Sequence, residues 1–279
     1  MIIWLASYPK SGNTWVRFLI NSLLYAKEGK GNLINIANIR AFPKPQQFIN
    51  LVKNLDNVKE VSKNWINAQR ILNLDKKIKF IKTHNVFCKL NGHSFTDLNN
   101  TLGVIYIVRD PRNVVASIKY HYQLDTLENA KNFIFFENTI SGDKNKNENP
   151  MPSIIGSWKT HYNSWKQFPK NLLILNYDKI LLNPKKEFLK LKKFLEKILN
   201  LKINENKFND AVENCKFEKL QQIEQSEGFV ESVIDKNTGK KKNFFNMGPK
   251  NNWEDYLDKN IKDEIENNFR KEMKELNYL

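Results

Sequence analysis

Cysteine is scarce in this chain. Cys88 and Cys215 are its only two in 279 residues, too few for a disulfide framework, and a reducing cytoplasmic setting fits best. Long apolar runs are missing as well. No stretch of about 18 or more apolar residues occurs, so no membrane-spanning helix is expected. No secretory leader is read either, because residues 1–6 form an apolar strand with a polar loop directly behind it. Internal repeats are absent. Acidic residues are in deficit, 30 Asp and Glu against 45 Lys and Arg, for a formal net charge of +15. A positive field attracts anions such as nucleotides, acidic sugars or nucleic acid. Lys, Asn and Ile dominate throughout, however, and compositional drift with a local anion site is the favoured reading. Nothing resembles a known nucleic-acid module, so no nucleic-acid partner is expected.

What is present suits an enzyme-sized α/β domain. At 41% hydrophobic residues, the chain supports one sizeable core and not clearly two, so a single domain over residues 1–279 is expected. Short apolar runs bounded by polar or turn residues mark strands at Ile2–Ala6, Ile78–Lys82, Val104–Val108 and Leu172–Leu175. Helices are expected over Trp15–Tyr25, Asn113–Tyr122, Ile154–Phe168, Lys185–Leu199, Glu205–Glu224 and Lys259–Leu276. Alternation of this kind predicts a central parallel β-sheet flanked by helices. Ligands on such sheets bind outside the carboxyl ends of the strands. Gly29–Pro45, Asp125–Pro152 and Gly228–Asn252 read as loops or lids.

The first strand runs into Ser7-Tyr8-Pro9-Lys10-Ser11-Gly12-Asn13-Thr14-Trp15 and then into an amphipathic helix. Strand, tight polar loop and helix form a P-loop-like phosphate cradle, in which backbone N–H groups and the positive helix end face one small volume. Lys10 adds charge there, and Ser11, Asn13 and Thr14 add hydrogen-bonding side chains. The order of residues is unusual. In G-x-x-x-x-G-K-[ST] the Lys follows the second Gly and a hydroxyl binds magnesium. Here Lys10 precedes Gly12 and Asn13 follows it, so no dedicated metal ligand is expected. The Rossmann G-x-G-x-x-G is absent. The plain alternative is a turn carrying a surface lysine.

A second strand-turn-helix covers Val104 to Ser117. Asp110 is placed to cap the helix and Pro111 to open it. Arg109 closes the strand, and Ser117 lies about two helical turns on. A guanidinium fork and a hydroxyl suit a phosphate; an Arg–Asp surface pair is the plain alternative. Four histidines occur, His84, His93, His121 and His161. His84 stands just past a strand end, where a base near neutrality would reach a substrate. His121 and His161 fall on helices and read as structural. His93 lies in a polar loop and would at most touch substrate.

These segments together resemble the sulfotransferases that use 3′-phosphoadenosine 5′-phosphosulfate (PAPS). Ser7–Trp15 resembles their 5′-phosphosulfate loop, usually T/S-Y-P-K-S-G-T-T-W, and departs mainly at Asn13. Val104–Ser117 resembles the 3′-phosphate motif V-x-R-[DN]-P-[KR]-D-V-x-x-S, with Asn113 in place of Asp. Lys82-Thr83-His84 resembles the K-T-H segment. The resemblance implies His84 as catalytic base, Lys10 on the leaving oxygen and Lys82 on the transferring sulfonate. It implies PAPS as co-substrate, held by Lys10, Ser11, Gly12, Asn13, Thr14 and Trp15, with Arg109 and Ser117 on the 3′-phosphate. Leu173–Asp178 is similar to the strand ending in Y-E-D, which brings Tyr177 toward adenine. Cys215-Lys216-Phe217 is similar to T-S-F, which adds Cys215 and Phe217.

The match weakens at Phe245–Trp253, where the family has F-x-R-K-G-x-x-G-D-W. Asn246-Met247 stands in place of Arg-Lys; Gly248 and Trp253 remain, and Lys250, or Lys240 to Lys242, is a candidate for the missing charge. The family's dimerisation pattern after the Trp is not evident, which leaves the oligomeric state open. The expected acceptor is a small molecule or carbohydrate bearing a hydroxyl or amine. It would be met by Ala26–Asp75, Asn85–Asn100 and Asp125–Pro152. Two other readings stay open: a P-loop-type kinase, and a non-catalytic nucleotide- or polyanion-binding protein.

Overall fold

Every residue of Ile2–Ser7 is buried. A continuous apolar run of this length suits a strand covered on both faces, and it forms β1. In the computed structural model, which describes residues 1–26, 36, 38–140 and 151–279, β1 is followed by α1 (Asn13–Leu24), α2 (Val58–Lys63), α3 (Trp65–Leu72), β2 (Lys79–Thr83), β3 (Lys89–Leu90), β4 (His93–Ser94), β5 (Thr101–Val108), α4 (Pro111–Tyr122) and α5 (Leu127–Phe135). The chain continues through β6 (Thr139–Ile140), β7 (Ser153–Ile154), α6 (Trp158–Lys166), β8 (Leu172–Asn176), α7 (Tyr177–Leu182), α8 (Pro184–Leu199), α9 (Glu205–Asn214) and α10 (Phe217–Glu227). The hairpin β9 (Val233–Ile234) and β10 (Lys241–Lys242) precedes α11 (Lys259–Asn268) and α12 (Arg270–Glu275).

The main sheet has four strands in the order β2-β1-β5-β8. β1 runs parallel to β2, with Leu5 opposite Lys82, and parallel to β5, with Ser7 opposite Ile107. This is the expected α/β arrangement. The chain goes from β1 to one neighbour and then crosses to the other, so the loop after β1 leaves at a switch of direction, the favoured ligand position on such sheets. His84 follows β2, Arg109 follows β5 and Tyr177 follows β8.

The chain divides into two compact units. The first comprises Met1–Pro9, Ile39–Ile107 and Phe135–Ile174. Its core is aromatic: Trp4 lies 5.3 Å from Phe95 and 5.6 Å from Phe42, and Trp65 lies 5.3 Å from Phe95. Each such ring removes about 150–250 Å² from water, worth on the order of 4–6 kcal/mol. Trp4 Nε1 donates to Thr101 Oγ1 at 2.9 Å, whereas the buried Trp65 Nε1 has no hydrogen-bond partner among the described residues. The second unit comprises Lys10–Asn38, Val108–Ile134 and Leu175–Leu279. There Trp15 meets Tyr177 at 5.5 Å and Phe188 at 6.0 Å, both edge-on.

Several expected boundaries shift for local reasons. The helix expected over Ile154–Phe168 begins only at Trp158. Ser157 caps it by accepting from Thr160 N, and Ile154 is engaged in β7. Glu205–Glu224 is two helices, broken at Cys215, whose carbonyl accepts Trp15 Nε1 at 2.7 Å. Lys259–Leu276 breaks at the fully buried Phe269. The stretch Asp125–Pro152, expected as loop, contains α5, which buries Ala130 and Ile134. Lys131 is buried beside them because Glu128 and Glu264 pair with it at 2.6 and 2.5 Å. Residues 141–150, and 27–35 and 37 of the other expected loops and acceptor-facing stretches, lie outside the described residues.

Candidate functional site

The second unit gathers the residues expected to hold a phosphorylated ligand. Lys10 and Gly12 both have left-handed backbone, with φ of 66° and 97°. Two such residues in one short turn aim successive N–H groups to the same side. The turn feeds α1, whose start at Gly12 has no side-chain cap and whose first turn has no acidic residue. The first N–H groups of a helix have no acceptor within it. The Ser11 hydroxyl is buried, 1% exposed for the residue, with no hydrogen-bond partner among the described residues. A buried unpaired hydroxyl is costly unless a ligand completes it. The cradle is also tight, since a Cβ on Gly12 would stand 2.3 Å from Tyr177 Cδ2. This donor set, a lysine, a hydroxyl and backbone amides, fits a phosphate.

Arg109 braces that turn. Its Nη1 donates to the Lys10 carbonyl at 3.0 Å, and its guanidinium lies 4.3 Å over the Tyr177 ring. Lys10 Nζ in turn lies 4.1 Å over Phe244, an attractive cation–π placement. Tyr177 is therefore the floor of the turn, and burial pushes its phenol pKa up. Trp15 is 5% exposed and donates to Cys215 O, so it ties the turn to the α9–α10 junction. The Cys215 thiol is buried, which raises its pKa well above the usual value. Phe217 opens α10 and packs beneath Gly248, where an added Cβ would stand 2.3 Å from its ring. Ser117 is half-buried on α4, and Lys250 is exposed.

Thr14 departs from the simple cradle. Its hydroxyl donates to Glu231 Oε2 at 2.8 Å, and Arg17 Nη1 holds Glu231 Oε1 at 2.7 Å. The hydroxyl proton is thus committed to a carboxylate of the same unit. Sequence reasoning missed Arg17 and Glu231. The available signal was an arginine one turn after Thr14 on an apolar helix face, which demands a carboxylate. The segment Gly228–Asn252 is anchored through Glu224, which accepts from Phe244 N at 2.6 Å, Phe245 N at 2.8 Å and Ser232 Oγ at 2.6 Å.

Asn113, the departure in the second motif, has a definite task. Its Oδ1 accepts Trp253 N at 2.9 Å, its main-chain O accepts Asn251 Nδ2 at 2.9 Å, and its Nδ2 donates to Asp178 Oδ1 at 3.3 Å. Asp110 caps α4 as expected, accepting from Arg112 N at 2.9 Å. Arg112 also binds Asp110, Glu266 and the Tyr278 carbonyl. Burial raises the Asp110 pKa, against the opposing pull of Arg112.

The first unit holds the expected base. His84 follows β2 directly, and its Nδ1 lies 2.8 Å from Ser7 O. A carbonyl only accepts, so Nδ1 carries the proton and the neutral ring keeps its lone pair on Nε2. Lys82 is half-buried in β2, and its backbone also pairs with the 40–42 segment. His161 is fully buried on α6, and burial lowers its pKa to about 3, so it stays neutral. His93 sits in the β3–β4 hairpin and His121 on α4. Among the described residues, no three His, Cys, Asp or Glu side chains cluster as metal ligands would, and no helix is long and apolar enough to cross a membrane.

Comparison with known proteins bears on the family and the fold. Luciferin sulfotransferase of Photinus pyralis is 28% identical over 229 residues, covering 78% of this chain and 56% of that protein. Sulfotransferase 1 family member D1 of Mus musculus is 28% identical over 221 residues, covering 76% of this chain and 66% of that protein. In both cases the match spans less than two-thirds of the relative's own length. Among solved structures, mouse sulfotransferase SULT7A1 complexed with PAP superposes with a TM-score of 0.61 at 19% identity, covering 98% of this chain and 84% of that one. At that identity the likeness speaks for the fold. The family model described as the sulfotransferase domain matches residues 2–277, and the chain belongs to that family.

Proposed function

We propose that this protein transfers a sulfuryl group from PAPS to a hydroxyl or amine of a small-molecule or carbohydrate acceptor. The observation that carries the reading is the turn at Lys10–Gly12. It combines two left-handed residues, a buried hydroxyl seeking a partner and an uncapped helix start. When bound, PAPS supplies a sulfur joined through a bridging oxygen to a 5′-phosphate. In this proposal Ser11 and the N–H groups of Gly12, Asn13 and Thr14 receive the 5′-phosphate. Arg109 and Ser117 receive the 3′-phosphate, with Lys250 beside Gly248 replacing the absent Arg-Lys charge. Tyr177, Phe217, Cys215 and Trp15 shape the adenine side.

His84 Nε2 takes the proton of the acceptor as the acceptor oxygen or nitrogen bonds to sulfur. The bridging S–O bond breaks, and its electron pair leaves with the nucleotide. Lys10 neutralises that departing oxygen, and Lys82 steadies the sulfonate, both by charge placed where charge develops. Calorimetric titration with PAPS, its desulfonated product PAP, and ATP tests the donor. PAPS and PAP are expected to bind at least about ten-fold tighter than ATP; tighter ATP binding would replace this reading with the kinase one. An acceptor screen then follows PAP release, and His84→Ala is expected to abolish it while leaving PAP affinity intact.

A further inference from the structure

The segment that carries His84 leaves β2 and is gripped from one side by α6. Three side chains of that helix reach its backbone. His161 Nε2 donates to His84 O at 3.1 Å, Trp165 Nε1 donates to Asn85 O at 2.9 Å, and Ser164 Oγ accepts Phe87 N at 3.1 Å. Positions 161, 164 and 165 stand three and four apart, on one face of a helix. The main chain around β7 adds two more ties, Val86 N to Ile154 O at 2.7 Å and Ile154 N to Asn85 Oδ1 at 2.9 Å.

His161 is the member of this set that sits directly behind the base. Because Nε2 donates to a carbonyl, Nδ1 is the acceptor, and the Tyr106 hydroxyl donates to it at 3.0 Å. Tyr106 is 1% exposed and His161 fully buried. The orientation of the imidazole on α6 is therefore set from both ends. His84 itself is held from two sides: Ser7 O takes its Nδ1–H at 2.8 Å, and His161 takes its carbonyl. The first contact selects the tautomer; the second holds the peptide plane from which the side chain departs.

We propose that His161, oriented by the Tyr106 hydroxyl, is a positioning residue that aims the His84 imidazole through the His84 carbonyl. The inference rests on the reading of His84 as base. Small misplacements of a reacting group cost about a hundred-fold in rate. Removing the N–H at position 161 is therefore expected to lower kcat with little change in binding.

The test compares wild type with His161→Phe, His161→Gln and Tyr106→Phe, using PAPS and 4-nitrophenol as the probe acceptor. His161→Phe is expected to lower kcat by about 10–100-fold while KM and PAP affinity stay within about two-fold. Glutamine offers both an N–H donor and a carbonyl acceptor, so His161→Gln is expected to recover most of the loss. Tyr106→Phe is expected to fall between. A second readout is independent of turnover. Nitrogen NMR of the imidazoles is expected to show a single Nδ1–H tautomer for His84 in wild type and in His161→Gln, and a mixture in His161→Phe, because a released His84 peptide plane carries the ring away from the Ser7 carbonyl that selects the tautomer. Wild-type turnover by His84→Ala would remove the base reading itself. An inactive His84→Ala together with unchanged kcat in His161→Phe, no rescue by glutamine, or an unaltered His84 tautomer in His161→Phe would overturn the positioning role.

Discussion

Replacing Gly12 with alanine strikes the Lys10–Gly12 turn in two ways. Gly12 has φ of 97° and ψ of 16°, a left-handed conformation that costs a residue with a Cβ about 1–2 kcal/mol. The new methyl would also stand 2.3 Å from Tyr177 Cδ2 and 2.9 Å from Cε2. The ring would have to retreat by about 1 Å to restore ordinary contact. It has little room, with Trp15 at 5.5 Å on its edge and Arg109 at 4.3 Å on its face. Overpacking of this kind costs about 1–3 kcal/mol. The expected destabilisation is about 2–5 kcal/mol, a fall in Tm of about 5–15 °C. Because Tyr177 supports Arg109, PAP affinity is expected to fall at least about ten-fold as well. Thermal unfolding with and without PAP measures both. A double-mutant cycle with Tyr177→Ala isolates the clash, and a coupling of about 1–3 kcal/mol is expected. If Gly12→Ala unfolds within about 0.5 kcal/mol of wild type, the turn does not need the conformation and the packing described.

Two further outcomes follow from buried groups. The folded pKa of His161, lowered from 6.5 to about 3 by burial, lies below its unfolded value. The unfolded chain binds the extra proton, so this group makes stability fall as pH drops from about 6.5 toward 3. Between pH 7 and pH 5, urea unfolding is expected to show wild type losing about 2 kcal/mol more than His161→Gln; equal losses would argue against a buried neutral imidazole. Asn113→Asp would set a carboxylate against Asp178, now 3.3 Å from the amide. Like charges raise the folded pKa of the pair, so the cost, about 1–2 kcal/mol, is expected near pH 7 and recedes as pH falls below about 5. Urea unfolding at pH 7 and pH 4.5 measures it, and a pH-independent cost would refute the electrostatic cause.

The four strands of the main sheet were readable to within a few residues, because an apolar run between turn residues is a local signal; the two-residue strands were not. Ile2–Ser7 and Thr101–Val108 are wholly or almost wholly buried, so their hydrophobicity could not be mistaken for surface. The tight turn between β1 and α1 was readable for a similar reason, since its conformation is set by consecutive residues. Helix α5 was not readable as such. Lys131 and its polar neighbours gave the stretch a loop-like composition, and only pairing with Glu128 and Glu264 lets that lysine be buried. The break at Cys215 was equally hidden, because it depends on an indole 200 residues earlier in the chain claiming the carbonyl.

The sequence by itself determined the alternation of strands and helices, the tight turn with its lysine ahead of the glycine, and the position of His84 at the end of β2. These rest on hydrophobic period, capping and turn chemistry, all of which act over a few residues. Only the tertiary structure decided how those residues are held. Glu231 reaches Arg17 across 214 residues, and His161 reaches the His84 carbonyl across 77. Such contacts are selected by the shared burial of groups that would otherwise be left unpaired. No local pattern encodes which distant partner will satisfy them.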